Sequence, residues 1–375
     1  MGGLKGVVGE GRADTDQLEM VSATLSGSAE PDGRGSDAMM NKGGLELRST
    51  VGGGPFASVV IATYNRAESL LRTLRSLAAM ESPTRATWEV IVVDNNSNDN
   101  TADVTATFTR DSGLDVHYLF EKRQGKSFAL NSGIRCARGK VLAFTDDDAE
   151  VGAGWLESIC KAFETRECIG VGGRIVPVWS APKPEWLEEG GPWGLMAAIV
   201  KFDLGDDEVE LDMKTVPYGA NMALRKAAFE KYGLFREDLG PGARGLAAGE
   251  DTEICRRMVS AGERFVYAPN AVVFHPVEAA RVRRSYYQSW YFKFGRAAIR
   301  CEGWPAETKF VFGVPRYLLR GILTDLIRWL VSIDGKRRFY YKLQFCMTAG
   351  YISEARYLTG RGRAEWNCAR GRSNV

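Results

Sequence analysis

Three aspartates in a row close an apolar run, Val141-Leu142-Ala143-Phe144-Thr145-Asp146-Asp147-Asp148. Magnesium and manganese take oxygen ligands, usually one or two protein carboxylates together with phosphate oxygens of a substrate. An Asp-x-Asp at the carboxyl end of a strand supplies such a pair through Asp146 and Asp148. An acidic turn capping a helix that begins near Ala153 accounts for the same residues without a metal. A calcium loop counted from Asp146 fails, because its sixth position requires Gly and holds Val151.

Other segments offer chemistry of the same kind. The run Glu89-Val-Ile-Val-Val ends at Asp94-Asn95-Asn96-Ser97, a carboxylate where nucleotides commonly meet α/β sheets. Asp94 can accept hydrogen bonds from a base or ribose, and an Asx turn explains the segment equally well. Val59-Val-Ile-Ala leads to Thr63-Tyr64-Asn65-Arg66, whose hydroxyl, amide and guanidinium groups suit a nucleoside diphosphate or a simple helix cap. Gln124-Gly125-Lys126-Ser127 looks like the end of a P-loop, but the Gly required five residues before Gly125 is Phe120. The P-loop reading fails there, and Lys126 stays a candidate for phosphate contact on its charge alone. Gly170-Val-Gly172-Gly173 lacks the rest of a dinucleotide fingerprint and reads as a turn or a close packing point. Gly249-Glu250-Asp251-Thr252-Glu253 opens an amphipathic helix whose acidic first turn suits the macrodipole. A carboxylate positioned there can also serve as a general base, and Asp251 is the candidate. His275 closes the run Ala271-Val-Val-Phe and can be structural or a ligand to metal or phosphate, while His117, inside a strand, reads as structural.

The elements that must position these groups follow from periodicity. From Ala57 onward, short runs rich in Val and Ile alternate with helical spacing, the pattern of βαβ units. Strands are expected at 58–62, 89–93, 116–120 and 140–144, with helices at 68–79, 101–109 and 127–137. Such units predict a doubly wound, Rossmann-like and largely parallel sheet flanked by helices, with ligands at the carboxyl ends of its strands. The Pro- and Trp-rich stretch from Pro177 to Trp193 reads as a long loop. Helices follow near 225–232 and 250–261, with a strand at 264–267, and the part beyond Val277 is mainly helical. Residues 1–55 are rich in Gly and Ser and poor in aromatics, which predicts a disordered leader.

Composition sets further bounds on these 375 residues. A net charge of +2 argues against nucleic acid as a partner, although six basic residues and no acidic one lie between Arg281 and Arg300. Seven scattered cysteines without a CxxC pair fit reduced thiols in a cytoplasmic compartment. No run reaches the roughly 18 apolar residues of a spanning helix. Residues 315–333 carry Leu318, Ile322, Leu326, Trp329 and Leu330 at helical spacing with Arg316, Arg320 and Arg328 among them, followed by Lys336-Arg337-Arg338. That pattern fits a helix lying on a membrane surface or one docked on the main domain.

Taken in order, the segments Val59–Arg66 (VVIATYNR), Val90–Asp99 (VIVVDNNSND), Gly125–Gly133 (GKSFALNSG), Phe144–Asp148 (FTDDD), Gly219–Asn221 (GAN) and Glu250-Asp251 resemble glycosyltransferase family 2, whose catalytic domain has the GT-A fold. The resemblance runs from Val59 to about His275. It implies a GT-A domain over 56–275, with a nucleotide-sugar-binding half at 56–174, an acceptor-binding half at 175–275, and a basic, helical C-terminal region at 276–375. It further implies donor contacts from Thr63, Asn65, Arg66, Asp94, Lys126 and Asp146, and a divalent cation, Mn2+ or Mg2+, on Asp146 and Asp148 with His275 as a further candidate ligand. Asn221 and Glu250 fall on the acceptor side and Asp251 becomes the general base of an inverting transfer. The expected partners are a nucleotide-sugar donor and a glycan or lipid-linked acceptor, in cell envelope polysaccharide biosynthesis on the inner face of the membrane. The lack of a multi-span region points to transfer of single sugars. Two readings compete: a sugar-nucleotide nucleotidyltransferase, which needs a Gly-rich basic loop after the first strand, and a catalytically silent nucleotide-binding or membrane-associated scaffold.

Overall fold

The computed structural model describes residues 55–360, apart from 85, 189, 191–194, 244 and 247. The expected leader at 1–55 lies almost wholly outside the described residues, as do residues 361–375.

Continuous apolar runs form strands here because a parallel strand covered on both faces has no need to alternate with polar residues. The strands β1 (Ala57–Thr63), β2 (Trp88–Asp94) and β4 (Val141–Thr145) are of this kind, while β3 (Val116–Phe120) is an edge strand with Tyr118 and Phe120 exposed. In β1, Val59 and Ile61 pack into one core layer with Leu70, Leu74 and Trp155, while Val60 joins the other with Ile134, Phe144 and Phe229. The covering helices are α1 (Ala67–Ala79), α2 (Thr101–Ser112), α3 (Lys126–Cys136) and α4 (Trp155–Thr165). α3 lies so close to the sheet that a Cβ on Gly133 would stand 2.6 Å from Val60 Cγ1.

The remaining main elements are β5 (Glu150–Val151), β6 (Gly170–Trp179), β7 (Val209–Leu211), β8 (Asn221–Arg225), α5 (Lys226–Tyr232), α6 (Glu250–Ser260) and β9 (Phe265–Val277). The strand order is β3-β2-β1-β4-β8-β6-β9-β5, with β7 pairing β9. β1 is parallel to β2 and β4, β2 is parallel to β3, and β6 is parallel to β9. β8 runs antiparallel between β4 and β6, in a register that sets Asn221 opposite Thr145. The start of β8 therefore abuts the end of β4, where the three aspartates leave the sheet.

Two expectations change. Pro177 was expected in loop, yet β6 continues to Trp179 with Pro177 opposite His275. β8 covers β6 only at 170–172, so beyond that point Pro177 sits on a largely open edge, where a missing N–H costs little. The glycines Gly170, Gly172 and Gly173 lie inside this strand rather than in a turn, and they serve the expected close packing: a side chain on Gly173 would collide with the Asn221 amide and the Ala271 carbonyl. Helix α4 also starts at Trp155, two residues past the expected position.

The C-terminal region is helical, as expected: α7 (Arg284–Glu302), α8 (Arg316–Val331) and α9 (Gly335–Gly360), with a small hairpin of β10 (Phe310–Val311) and β11 (Val314–Pro315). α7 and α9 cross at Gly295 and Gly350, where any side chain would strike the facing backbone. The buried Glu354 of α9 takes Arg296 at 2.8 Å and Arg300 at 2.6 Å from α7. Among the described residues no helix is long and apolar enough to cross a membrane.

Candidate active site

The site forms where β1, β4 and β9 end and where α3 and α6 begin. β4 delivers Asp146, Asp147 and Asp148, and each acquires a different partner. Thr63 Oγ1, at the end of β1, donates to Asp147 Oδ2 at 2.8 Å. Arg66, three residues on, bonds Asp147 at 3.1 Å and Asp148 at 2.8 Å. Lys126, the first residue of α3, reaches Asp146 Oδ1 at 2.5 Å and stands 3.8 Å from Glu250. A cation in the first turn of a helix opposes the macrodipole, and here two carboxylates offset that cost. Arg281, in the stretch before α7, donates to Asp148 Oδ2 at 3.1 Å.

His275 comes from β9 and is almost fully buried. Its Nε2 lies 3.5 Å from Asp148 Oδ1 and 3.8 Å from Asp146 Oδ2, and its Nδ1 lies 3.2 Å from the Pro276 carbonyl. An Nδ1–H bonded to that carbonyl leaves the Nε2 lone pair facing two carboxylates, the arrangement in which histidine ligates a metal. The ligand atoms of Asp146, Asp148 and His275 all fall within 4.8 Å of one another. Electron-rich atoms converging in this way fit a divalent cation, and the two carboxylates suit an oxygen-preferring ion such as Mn2+.

Burial and charge oppose each other at these groups. Burial alone would raise the Asp146 carboxyl, but the Lys126 ammonium beside it holds it far below the usual carboxylate range. Asp147 is pushed up by burial and by the adjacent Asp148, against the pull of Arg66. The Arg66 guanidinium, which burial would weaken, is held above its ordinary value by Asp147 and Asp148. Burial and then the neighbouring Asp251 push Glu250 up to about 7.

Glu250 and Asp251 differ in access. Glu250 is buried beneath Gly240, with its Oε2 unbonded. Asp251 is partly exposed, accepts the Gly219 N–H at 2.8 Å through Oδ2 and caps Thr252 N at 2.7 Å through Oδ1. Asn221 does not reach the cleft. Its side chain is fully buried, with Nδ2 donating at 2.8 Å to both the Arg174 and Ala271 carbonyls and Oδ1 accepting Trp155 Nε1 at 2.8 Å.

The second strand's loop forms the flank. Asp94 is buried, with Oδ1 accepting Ser97 N at 2.8 Å and Oδ2 accepting Tyr118 Oη at 2.8 Å. Asn65 adopts a left-handed φ of 51° and stitches the first loop to the second, its N–H on Ser97 Oγ and its Oδ1 accepting Asn98 N at 2.7 Å. Asn95 ties the same loop to α3 by accepting Gly125 N at 2.7 Å. Sequence reasoning did not single out Arg281, Asn95 or Tyr118 for the site. The basic segment that Arg281 opens was the available signal. His117 lies at the opposite strand ends, where Arg138 closes a cluster with Glu89 and Asp115 at 2.6 and 2.7 Å.

The cluster of carboxylates lies at the carboxyl ends of the central strands, which is where open α/β sheets bind their ligands. The comparisons with known proteins agree. The family described as "Glycosyl transferase family 2" matches residues 58–233. The Succinoglycan biosynthesis protein ExoM of Rhizobium meliloti is 28% identical over 237 residues, 63% of this chain and 72% of its own. The Glucosyl-dolichyl phosphate glucuronosyltransferase of Haloferax volcanii is 27% identical over 243 residues, 62% of this chain and 75% of its own. The solved structure of GalNAc-T7 with UDP, GalNAc and Mn2+ is similar in fold, with a TM-score of 0.51 at 16% identity over 82% of this chain and 57% of that one. Residues 58–233 match glycosyl transferase family 2, and the protein is an enzyme that transfers glycosyl groups.

Proposed function

We propose that this protein moves a single sugar from a nucleotide-sugar donor to a hydroxyl of a glycan or lipid-linked acceptor, with inversion at the anomeric carbon. The observation that carries the reading is the convergence of Asp146, Asp148 and His275, joined through Lys126 to the first turn of α6. In this reading these three residues would hold a divalent cation, Mn2+ or Mg2+. When bound, that cation supplies charge neutralisation to the departing diphosphate.

The protein's own groups do the rest. Asp251 takes the proton of the acceptor hydroxyl as its oxygen attacks the anomeric carbon, and the bond from that carbon to the diphosphate breaks on the opposite face with the electron pair leaving on the nucleotide. Asp251 suits this better than Glu250, since Glu250 is buried away from the acceptor while Asp251 is held in place by Gly219 N–H. In this reading Arg66 and Arg281, both bonded to Asp148, supply guanidinium charge to the diphosphate. Lys126 orients Asp146 and also faces the donor. Thr63, Asn65 and Asp94 shape the nucleotide pocket through Asp147, Ser97 and Tyr118. Asn221 acts as a positioning residue behind the acceptor side.

The catalytic unit in this reading spans 56–275, with a donor half at 56–174, an acceptor half at 175–275 and an appended region at 276–375. The names of the relatives support the acceptor class, since one acts in succinoglycan biosynthesis and another on a glucosyl-dolichyl phosphate. Work on cell envelope polysaccharide at the cytoplasmic side of the membrane follows from the same reading. Asp251→Asn is the test: transfer is expected to fall by about 10²–10⁴-fold while donor binding is unchanged. Transfer at the wild-type rate would remove Asp251 from the mechanism.

A further inference from the structure

Helix α8 packs its inner face, Leu318, against Val314 and Ala355, and buries Asp325 on Thr348 Oγ1 at 2.8 Å. Its outer face is apolar. Leu319, Leu323, Ile327 and Leu330 recur at i, i+4, i+8 and i+11 and are all exposed, Leu330 by 61%. Ile333, just past the helix, is 98% exposed. Soluble helices normally turn such a stripe inward.

A second observation stands at the helix's other end. The β10–β11 hairpin pairs Phe310 with Pro315 and Val311 with Val314, leaving Phe312-Gly313 as a two-residue turn with φ of 50° and 74°. A turn with both residues left-handed strongly favours Asn-Gly, and a bulky residue with positive φ is strained. The Phe312 ring gains nothing from the fold in return, being 92% exposed. Thr359 Oγ1 meanwhile ties Gly313 down through its carbonyl at 3.0 Å. The hairpin is anchored, and its tip presents an aromatic ring outward.

Charge identifies what meets this surface. Residues 305–342 hold eight Lys and Arg against three Asp and Glu, one of the three being the buried Asp325. Lys309, Arg316 and Arg320 line a pocket of about 370 Å³ beside Tyr317, with Glu307 as the one carboxylate in its wall. A second copy of the chain would bring cations against cations. An anionic lipid surface supplies the opposite charge together with an apolar layer beneath it.

We infer that α8 and the Phe312 hairpin form a docking surface for an anionic membrane, with Phe312, Leu323, Ile327 and Leu330 entering the acyl boundary. Arg316 and Arg320 remain at the lipid phosphates, with their stems along the apolar layer. The helix lies in the interface and does not span it, about 24 Å long by its sixteen residues. The inference stands apart from the donor-site reading, since none of these residues touches the carboxylate cluster.

The test is flotation of the full chain with phosphatidylcholine vesicles, with and without phosphatidylglycerol. Wild type is expected to float with the anionic vesicles and to be released by salt. Replacing both Arg316→Gln and Arg320→Gln should weaken partitioning roughly 25-fold, at about fivefold per cation. Ile327→Ser should weaken it roughly tenfold. Phe312→Asn is the discriminating variant, because it installs the favoured turn. It should raise the thermal midpoint while weakening vesicle binding several-fold, which no folding defect would do. Folded wild type that ignores anionic vesicles would overturn the inference, as would a wild-type dimer that Leu323→Glu converts to monomer without any effect of lipid. Nucleotide-sugar binding on the same samples keeps the two readings separate, since it is expected to be equal in all variants.

Discussion

Replacing Asn221 with Ala tests how the carboxylate strand is held. Asn221 is fully buried at the start of β8, and its amide makes three bonds of 2.8 Å: to the Arg174 carbonyl in β6, the Ala271 carbonyl in β9 and Trp155 Nε1 in α4. Truncation leaves the Trp155 Nε1–H buried without a partner, at about 1–3 kcal/mol, and removes a second hydrogen bond from two carbonyls that keep their places in the β6–β9 ladder, at about 0.5 kcal/mol each. The sum is about 2–4 kcal/mol, a large part of the roughly 5–15 kcal/mol that a domain possesses. Because Asn221 pairs with Thr145, the residue before Asp146, the loss is also expected to loosen the metal-facing carboxylates. Equilibrium unfolding in urea reads the first effect as a midpoint lower by about 1 M with little change of slope. Asn221→Asp carries the reasoning further, since one carboxylate oxygen would face two carbonyls unless protonated. Its folded pKa would be raised, so its stability should be best in acid and fall as pH rises through the carboxylate range. If Asn221→Ala unfolds within about 0.5 kcal/mol of wild type, the network does not bear the weight assigned to it.

Two further predictions concern charges. Arg123, against the effect of burial and with help from Ser132, lowers the Glu121 carboxyl from an ordinary 4.5 to about 2. The unfolded state thus binds the proton first on acidification, so Glu121 stabilises the fold fully above pH 4.5 and loses that contribution as pH falls toward 2. The stability difference between wild type and Glu121→Gln should shrink between about pH 5 and pH 2 in urea titrations, and a constant difference would contradict the assignment. Arg281→Gln removes a guanidinium from Asp148, and kcat/KM for transfer should fall roughly a hundredfold, the scale for losing one stabilising donor at developing charge. A fall in thermal midpoint with kcat/KM intact would make Arg281 a structural residue only.

The strands around the site were legible because parallel strands buried on both faces read as unbroken Val and Ile runs, and each run visibly ends in a polar cluster. Asp146, Asp148 and His275 could be listed as candidates for that reason, though nothing local shows that residues more than a hundred positions apart share one point in space. Arg281 reaches Asp148 from a segment whose sequence shows only a basic patch. The Asn221 side chain is spent on backbone carbonyls, which a short Gly-Ala-Asn motif does not reveal. Pro177 misled the reading of β6 because a proline argues against a strand unless one edge is open, and openness is a property of the sheet. The outward face of α8 illustrates the same limit: helical spacing predicts two faces, and only the packing of Leu318 and Asp325 decides which one is inside.

The most direct test of the account is calorimetric titration of nucleotide sugars into wild type and Asp148→Ala, each with and without Mn2+. The account predicts metal-dependent binding of one nucleotide class to wild type and its loss in the variant, with the variant still folded. Binding of the same strength in both proteins, or independent of metal, would contradict the assignment of Asp146, Asp148 and His275 as the cation site.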